Sequence, residues 1–179
     1  KRYNHCINVS IEAVKLAKKY GADVKKAEIT GLLHDITKET DSKEQMELIK
    51  SAGIEPSDLE KKAEKTWHAI SGCAFVKDKL NIHDKDILNS IRYHTIAREN
   101  MSLLEKIIFI ADFISEERTY EGGEKIRKAA TIGIEEAMVA ATRFSTEVLM
   151  KNGRQLSLET VKAYNEAVLK LNDGRVNYI

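Results

Sequence analysis

Apolar residues recur along this chain with the spacing of α-helices, and no segment shows the sustained alternation typical of β-strands. The first predicted helix covers residues 3–20, Gly21 ends it, and Asp23 can cap the next, over residues 24–35. Later helices are predicted from Thr40 or Asp41 to Ala52, after Pro56, from Thr66, and over residues 84–94, 102–115, 124–151 with a break near Gly133, and 158–171. The pattern predicts an all-α fold.

Two of these helices place a histidine on the apolar face. Val24, Ala27, Gly31 and His34 recur at i, i+3, i+7 and i+10, so His34 is expected to face the core. His94 follows Ile87 and Ile91 in the same way. A buried imidazole without a partner costs about 1–3 kcal/mol, so each needs either a hydrogen bond or a metal.

A second His-Asp pair shows that the dipeptide alone decides little. His83 lies in a polar loop and is expected to be solvated, and Asp84 is placed to cap the helix that begins near Lys85. The six residues that do share a position on, or within a turn of, an apolar helix face are His5, His34, Asp35, His68, His94 and Asp112.

Imidazoles and carboxylates are ligands for zinc, iron, manganese, nickel or cobalt. Taken singly, each of the six is more often a satisfied core residue than a ligand. Taken together, they suit two divalent ions, because two carboxylates leave about two positive charges uncompensated, and that surplus favours phosphate oxygens. Asp35, beside a histidine, is the natural bridge between the ions.

Composition and charge limit the classes of protein to which the chain can belong. A chain of 179 residues is most simply one domain, and its formal net charge of +1 does not favour binding to nucleic acid. Cys6 and Cys73 lie on apolar faces and are expected in the core. No signal peptide and no long apolar run is found, so we expect a cytoplasmic protein that does not contact membranes.

The order of the six residues resembles the HD-domain metal-dependent phosphohydrolases, in the subset with two extra histidines. The closer resemblance is to the bacterial YqeK family of symmetrical diadenosine tetraphosphate hydrolases. It covers essentially the whole chain and is carried by Trp67-His68, His94-Thr95, Asn100-Met101-Ser102, the run from Ile107 to Ile114, and Arg118. Two departures lie at the rim of the expected site: Ile96-Ala97 stands where the family has Thr-Gly, and Ser115-Glu116 stands where it has Glu-Pro.

The resemblance implies one HD-domain helical bundle over residues 1–179, whose C-terminal helices complete the substrate site. It implies that the six residues bind a divalent metal pair, most simply iron, with manganese, cobalt or zinc as alternatives. It also implies symmetrical cleavage of diadenosine tetraphosphate to two ADP, with Asp35 acting in catalysis. The substrate contacts implied by position are His5, Asp35, His94, Thr95 and Arg118.

Two further residues have two interpretations each. Lys38 lies one turn beyond His34 if the helix continues, where it could act in catalysis by meeting a phosphate, or it is a solvated lysine. Gly153 closes over the nucleotide or belongs to a helix-connecting turn. The alternative functions are a nucleotide phosphohydrolase of different specificity and a nucleotide-binding regulatory module with little turnover. Monomer and homodimer both stay open.

Overall fold

A computed structural model describes residues 1–173, apart from the side chain of Glu121. Over this range the chain forms ten α-helices and one 3₁₀ turn, without a β-strand. The helices are α1 (Arg2–Tyr20), α2 (Val24–Leu33), α3 (Ser42–Ser51), α4 (Asp58–Lys62), α5 (Trp67–Lys79), α6 (Lys85–Arg92), α7 (Leu103–Ile114), α8 (Glu121–Ile132), α9 (Ile134–Lys151) and α10 (Leu158–Leu171). The predicted all-α class is confirmed.

Helix α7 is the centre of the fold. It packs against α1, α2, α6, α8 and α9, and the side chains of Ile107, Ile108, Phe109 and Ile110 are at most 1% exposed. A helix that is apolar on nearly every face is stable only when other helices surround it. Asp112, near the end of this helix, is therefore held beside α1 and α2 by a rigid element.

Local sequence signals set most of the helix ends. Asp23, Asp41 and Asp84 cap α2, α3 and α6 through their side chains, and Ser102 forms a capping box with Glu105 at the start of α7. Each cap supplies an acceptor for backbone N–H groups that the first helical turn leaves unpaired. The predicted starts of these helices are correct to within a residue or two.

Three predicted boundaries need correction. Helix α2 ends at Leu33, so His34 and Asp35 lie in the turn that follows it, and α6 ends at Arg92, two residues before His94. Helix α8 begins at Glu121, earlier than predicted. The apolar period continues into these turns because their side chains are buried, and periodicity therefore cannot locate the last hydrogen-bonded residue.

The close approach of two backbones occurs at Gly31, where α2 crosses α1. A Cβ atom on Gly31 would lie 2.5 Å from Ser10 Cα, which is too near for any side chain. Gly72, by contrast, has ordinary neighbours, the nearest being Thr37 Oγ1 at 3.4 Å. The contact at Gly31 brings the start of α1 and the end of α2 together.

The cysteine prediction is only partly correct. Cys73 is half-buried and packs against the core, whereas Cys6 is half-buried without belonging to it. Burial raises the pKa of the Cys6 thiol to about 11, with the charge of Asp35 adding to the effect. Both thiols are free. Among residues 1–173, no helix combines the length and the apolar character needed to cross a membrane.

Candidate metal centre

Five separate segments bring the six predicted ligands to one buried place. His5 comes from α1, His34 and Asp35 from the turn after α2, His68 from the first turn of α5, His94 from the turn after α6, and Asp112 from α7. The four histidines and Asp35 are each at most 7% exposed, and Asp112 is half-buried. Their ligand atoms form three overlapping groups, each within 4.8 Å, that could hold a metal ion.

Asp35 joins the two sides of this cluster. Its Oδ1 lies 3.1 Å from His68 Nε2 and 3.4 Å from His94 Nε2. Its Oδ2 lies 3.6 Å from the Nε2 atoms of both His5 and His34. One carboxylate therefore faces two pairs of imidazoles with different oxygens, which is the arrangement expected of a group that bridges two ions.

His34 and His94 are fixed by the same local device. The Nδ1–H of His34 donates to the carbonyl of Gly31, and that of His94 to the carbonyl of Ile91, each at 2.7 Å. A carbonyl only accepts, so Nδ1 carries the proton and Nε2 presents a lone pair to the cluster. Each ring also satisfies a carbonyl that the end of its helix leaves unpaired.

The Nε2 atoms of neighbouring rings converge. His34 Nε2 lies 3.3 Å from His5 Nε2, and His68 Nε2 lies 3.2 Å from His94 Nε2. Burial lowers the pKa of His34 to about 4, helped by the neighbouring His94, so the ring is neutral at pH 7. Close, convergent imidazoles together with carboxylates fit a divalent cation.

His5 is held by an acidic residue that the sequence analysis missed. Its Nδ1 is hydrogen-bonded to the Glu117 carboxylate, which also accepts from Asn8 Nδ2 at 2.7 Å and from Ser115 Oγ at 2.8 Å. Burial lowers the pKa of His5, but its hydrogen bonds to Asp112 and Glu117 outweigh burial and leave it raised. Glu117 lies in a loop, so no helical period pointed to it.

His68 has the opposite neighbour, a cation. Lys38 Nζ lies 3.2 Å from both ring nitrogens of His68, and its half-buried ammonium borders the cluster. Burial lowers the pKa of His68 to about 4, although its contact with Asp35 opposes this. Burial also lowers the pKa of Lys38. The chain turns after Asp35 and does not continue as a helix, yet Lys38 still reaches the site.

Both acids of the cluster stay ionised. Burial alone would raise the pKa of Asp35, but its contacts with His68 and His94 outweigh burial and hold that pKa far below the usual range. Burial likewise opposes ionisation of Asp112, and the hydrogen bond from His5 and neighbouring positive charge keep its pKa far below normal. Carboxylates that remain negative across the physiological range are suited to a cation.

Two arginines touch these acids. Arg118, the predicted phosphate contact, donates from Nη2 to Asp112 Oδ1 at 2.8 Å and from Nε to the Asp112 carbonyl at 3.2 Å. Arg2, which the sequence analysis did not single out, pairs with Asp35 Oδ2. Its position three residues before His5, on the same face of α1, is the signal that could have found it.

The remaining predicted contacts lie further from the centre. Thr95 directly follows His94 and is half-buried. Gly153 is exposed in the turn between α9 and α10, at φ 61°. The residues after it, Arg154 and Gln155, line a cavity of about 1120 Å³ that reaches Lys38 and His68. His83 is exposed, as predicted.

Comparison with known proteins agrees with this fold and this centre. Residues 2–117 match the HD domain family, which makes the chain an HD-domain protein. A symmetrical bis(5'-nucleosyl)-tetraphosphatase of Halalkalibacterium halodurans is 37% identical over 169 residues, covering 94% of this chain and 90% of the relative. The Bacillus subtilis protein of the same name is 37% identical over 164 residues, covering 92% and 88%.

A solved structure has the same fold over nearly the whole chain. It is the crystal structure of a predicted HD superfamily hydrolase involved in NAD metabolism from Clostridium acetobutylicum, with a TM-score of 0.90 and 35% identity. It covers 95% of this chain and 90% of its own. Within the HD-domain proteins, this chain belongs to the family of symmetrical bis(5'-nucleosyl)-tetraphosphatases.

Proposed function

We propose that this protein hydrolyses diadenosine tetraphosphate symmetrically to two ADP; two relatives that are 37% identical to it are named symmetrical bis(5'-nucleosyl)-tetraphosphatases. The observation that carries the proposal is the position of Asp35, whose two oxygens face two histidine pairs in one buried cluster. The six residues His5, His34, Asp35, His68, His94 and Asp112 are the proposed ligands of a divalent metal pair.

The donor set supports iron, with manganese, cobalt or zinc as alternatives, because the three candidate groups contain imidazoles and carboxylates and no thiolate. When bound, a metal pair of this kind lowers the pKa of a water molecule towards neutrality and neutralises charge on phosphate oxygens. The side chains around the metal pair orient the attacking water and offset the charge of the phosphates.

In the proposed reaction, water oxygen bonds to one of the two central phosphorus atoms, and the P–O bond to the bridging oxygen breaks. The bridging oxygen leaves with the other half, so each product is ADP, and the water protons pass to the solvent. Asp35 stays ionised and therefore orients the attacking water rather than donating a proton. Lys38 and Arg118 are placed to offset negative charge on the diphosphate halves.

Direct substrate contacts are proposed for His5, His94 and Thr95, beside Asp35 and Arg118. Gly153 keeps a proposed role through its turn, which places the following residues on the cavity wall. The proposed location is the cytoplasm, where thiols such as Cys6 and Cys73 stay reduced. The expected partner is a nucleotide and not a nucleic acid or a membrane.

Product analysis tests the proposal. Metal-replete protein incubated with diadenosine tetraphosphate should yield ADP as the sole nucleotide product by chromatography, and in ¹⁸O-labelled water one ADP of each pair should carry the label. AMP plus ATP, or release of inorganic phosphate, would show a phosphohydrolase of different specificity. Tight ADP binding without turnover above that of the Asp112→Asn variant would indicate a regulatory module.

Metal content is a separate test. Protein purified without chelator should contain about two divalent ions per chain by elemental analysis, as a bridged pair requires. A content that stays at about one ion after incubation with excess divalent metal would contradict the pair and remove His68 and His94 from the ligand set.

A further inference from the structure

The large cavity beside His68 has the features of a binding site for a nucleotide. Its volume of about 1120 Å³ exceeds that of common small-molecule pockets, and it lies between α3, the α4–α5 segment and the α9–α10 turn. Lys38 and His68 form its border with the metal centre. A polyphosphate bound at the centre could therefore extend directly into this space.

The charge of the cavity wall suits a phosphate chain. Lys62, Lys65 and Arg154 line it and are exposed, and within the part of the chain that the structure describes none of the three forms an ion pair. By contrast, neighbouring Lys61 pairs with Glu55 at 2.7 Å. Three unpaired cations around one cavity create a local positive potential although the whole chain is nearly neutral.

The acids of the same wall are already engaged. Asp41 caps α3 by accepting from the backbone N–H of Glu44 at 3.0 Å, and Glu64 accepts a hydrogen bond from the Ser42 hydroxyl. The wall carries four cationic side chains, Lys38, Lys62, Lys65 and Arg154, against these two carboxylates, so its net charge is positive, as an anionic ligand requires.

One buried acceptor points to a ligand with a donor group. Gln45 lines the cavity, is 7% exposed, and donates from Nε2 to the Thr40 carbonyl at 2.7 Å, which fixes the orientation of the amide. Its Oε1 is buried and has no hydrogen-bond partner among the described residues. Leu59 and Leu149 supply apolar wall nearby. An apolar wall beside an unpaired acceptor fits a nucleobase or ribose, which carries N–H or O–H groups.

We infer that this cavity binds one nucleoside diphosphate half of the substrate, with Lys62, Lys65 and Arg154 holding its phosphates and Gln45 recognising its nucleoside. The inference rests on the proposed function and adds to it the place of one half of the dinucleotide. It also gives the C-terminal helices a part in the site, because Leu149, Arg154 and Gln155 belong to α9 and the turn after it.

A triple variant tests the cations. Metal-loaded Lys62→Ala/Lys65→Ala/Arg154→Ala protein should bind ADP with a Kd raised roughly tenfold or more for at least one bound ADP, since charged hydrogen bonds to phosphate are lost. Its KM for diadenosine tetraphosphate should rise similarly, while its metal content stays that of the wild type. Titration calorimetry with ADP and steady-state kinetics measure the two effects.

The matched control removes the same charge elsewhere. Lys18→Ala/Lys25→Ala/Lys79→Ala changes three exposed lysines outside the cavity, so general attraction of the substrate falls equally, and ADP affinity should change by less than about twofold. Equal effects of the two triple variants, or no ADP binding by the wild type, would overturn the inference. If the wild type does not cleave the tetraphosphate but its ADP binding depends on the cavity cations, the proposed function fails and the binding site stands.

A second variant locates the nucleoside. Gln45→Leu keeps the side-chain size and removes the acceptor, so it should weaken ADP binding while leaving the binding of inorganic diphosphate unchanged. Equal binding of ADP by Gln45→Leu and wild type would contradict the role of the amide. Should Gln45→Leu fail to fold, the surface triple variant still decides the inference, because its three side chains are exposed.

Discussion

The two sides of the metal centre are built from the same ligand type but have opposite surroundings. On one side, His5 and His34 face Asp112, and Glu117 holds the outer nitrogen of His5. On the other, His68 and His94 both lie close to Asp35, and the cation Lys38 lies against His68, although His94 also comes within 4.8 Å of Asp112. A site with more negative charge binds a divalent cation more tightly, so the side of Asp112 should bind its ion more strongly.

The same difference divides the chemistry. On the side of His68, Asp35 would be the nearest acid to a bound ion while Lys38 adds positive charge, so this side would have the larger attraction for phosphate oxygens. The large cavity opens there and not on the side of Asp112. The comparison predicts that an ion on the side of Asp112 is retained during purification, whereas an ion on the side of His68 is lost more readily. Four variants test this division, from the largest expected effect to the smallest.

Replacing the shared carboxylate should affect both sides. Asp35→Asn keeps the shape and removes the charge that each oxygen supplies, so metal content should fall on both sides. The activity should drop by more than the roughly 10–100-fold typical of losing an outer partner of a ligand. Elemental analysis and product chromatography measure the effect. Retention of both ions with near-normal turnover would show that Asp35 does not bridge.

His68→Ala should abolish metal binding only on the side of His68. We expect metal content to fall from about two ions to about one and hydrolysis to be lost, with the helical content unchanged by circular dichroism. His83→Ala is the matched control, because His83 is exposed and is not one of the proposed metal ligands. Full turnover by His68→Ala would show that the second metal position is wrong.

Glu117→Gln should weaken metal binding on the side of Asp112 without removing a metal ligand. The amide cannot supply the charge that favours His5 as a ligand, so affinity for one ion should fall roughly 10–100-fold, as for other outer partners of metal ligands. Chelator competition measures this. Glu116→Gln, at the exposed neighbouring position, should behave as the wild type. If both variants retain metal equally, the contact between Glu117 and His5 has no role in binding.

Gly31→Ala should separate His5 from His34 by pushing α2 away from α1. The new Cβ would lie 2.5 Å from Ser10 Cα, so the variant should lose about 1–3 kcal/mol of stability, as overpacked sites do. Gly72→Ala is the control, since its nearest neighbour is 3.4 Å away. Urea unfolding of the metal-free proteins measures the difference. Equal stability of the two variants would contradict the close approach.

The sequence was most informative where a residue's role follows from its own helix. The cap at Asp84, the capping box at Ser102 and the burial of His34 and His94 all follow from spacing within one segment. The break at Gly133 was found in the same way. Boundaries at residues 33 and 92 were missed, because a buried side chain continues the apolar period after the backbone has left the helix.

The sequence by itself determined an all-α chain with six metal-capable side chains on or near apolar faces, because helical periodicity is a local property. Only the tertiary structure decided that Asp35 faces both histidine pairs, that Glu117 supports His5, and that the cavity cations come together from α4, the turn before α5 and the turn after α9. These groups are far apart along the chain, and only helix packing, including the close approach at Gly31, sets the distances between them.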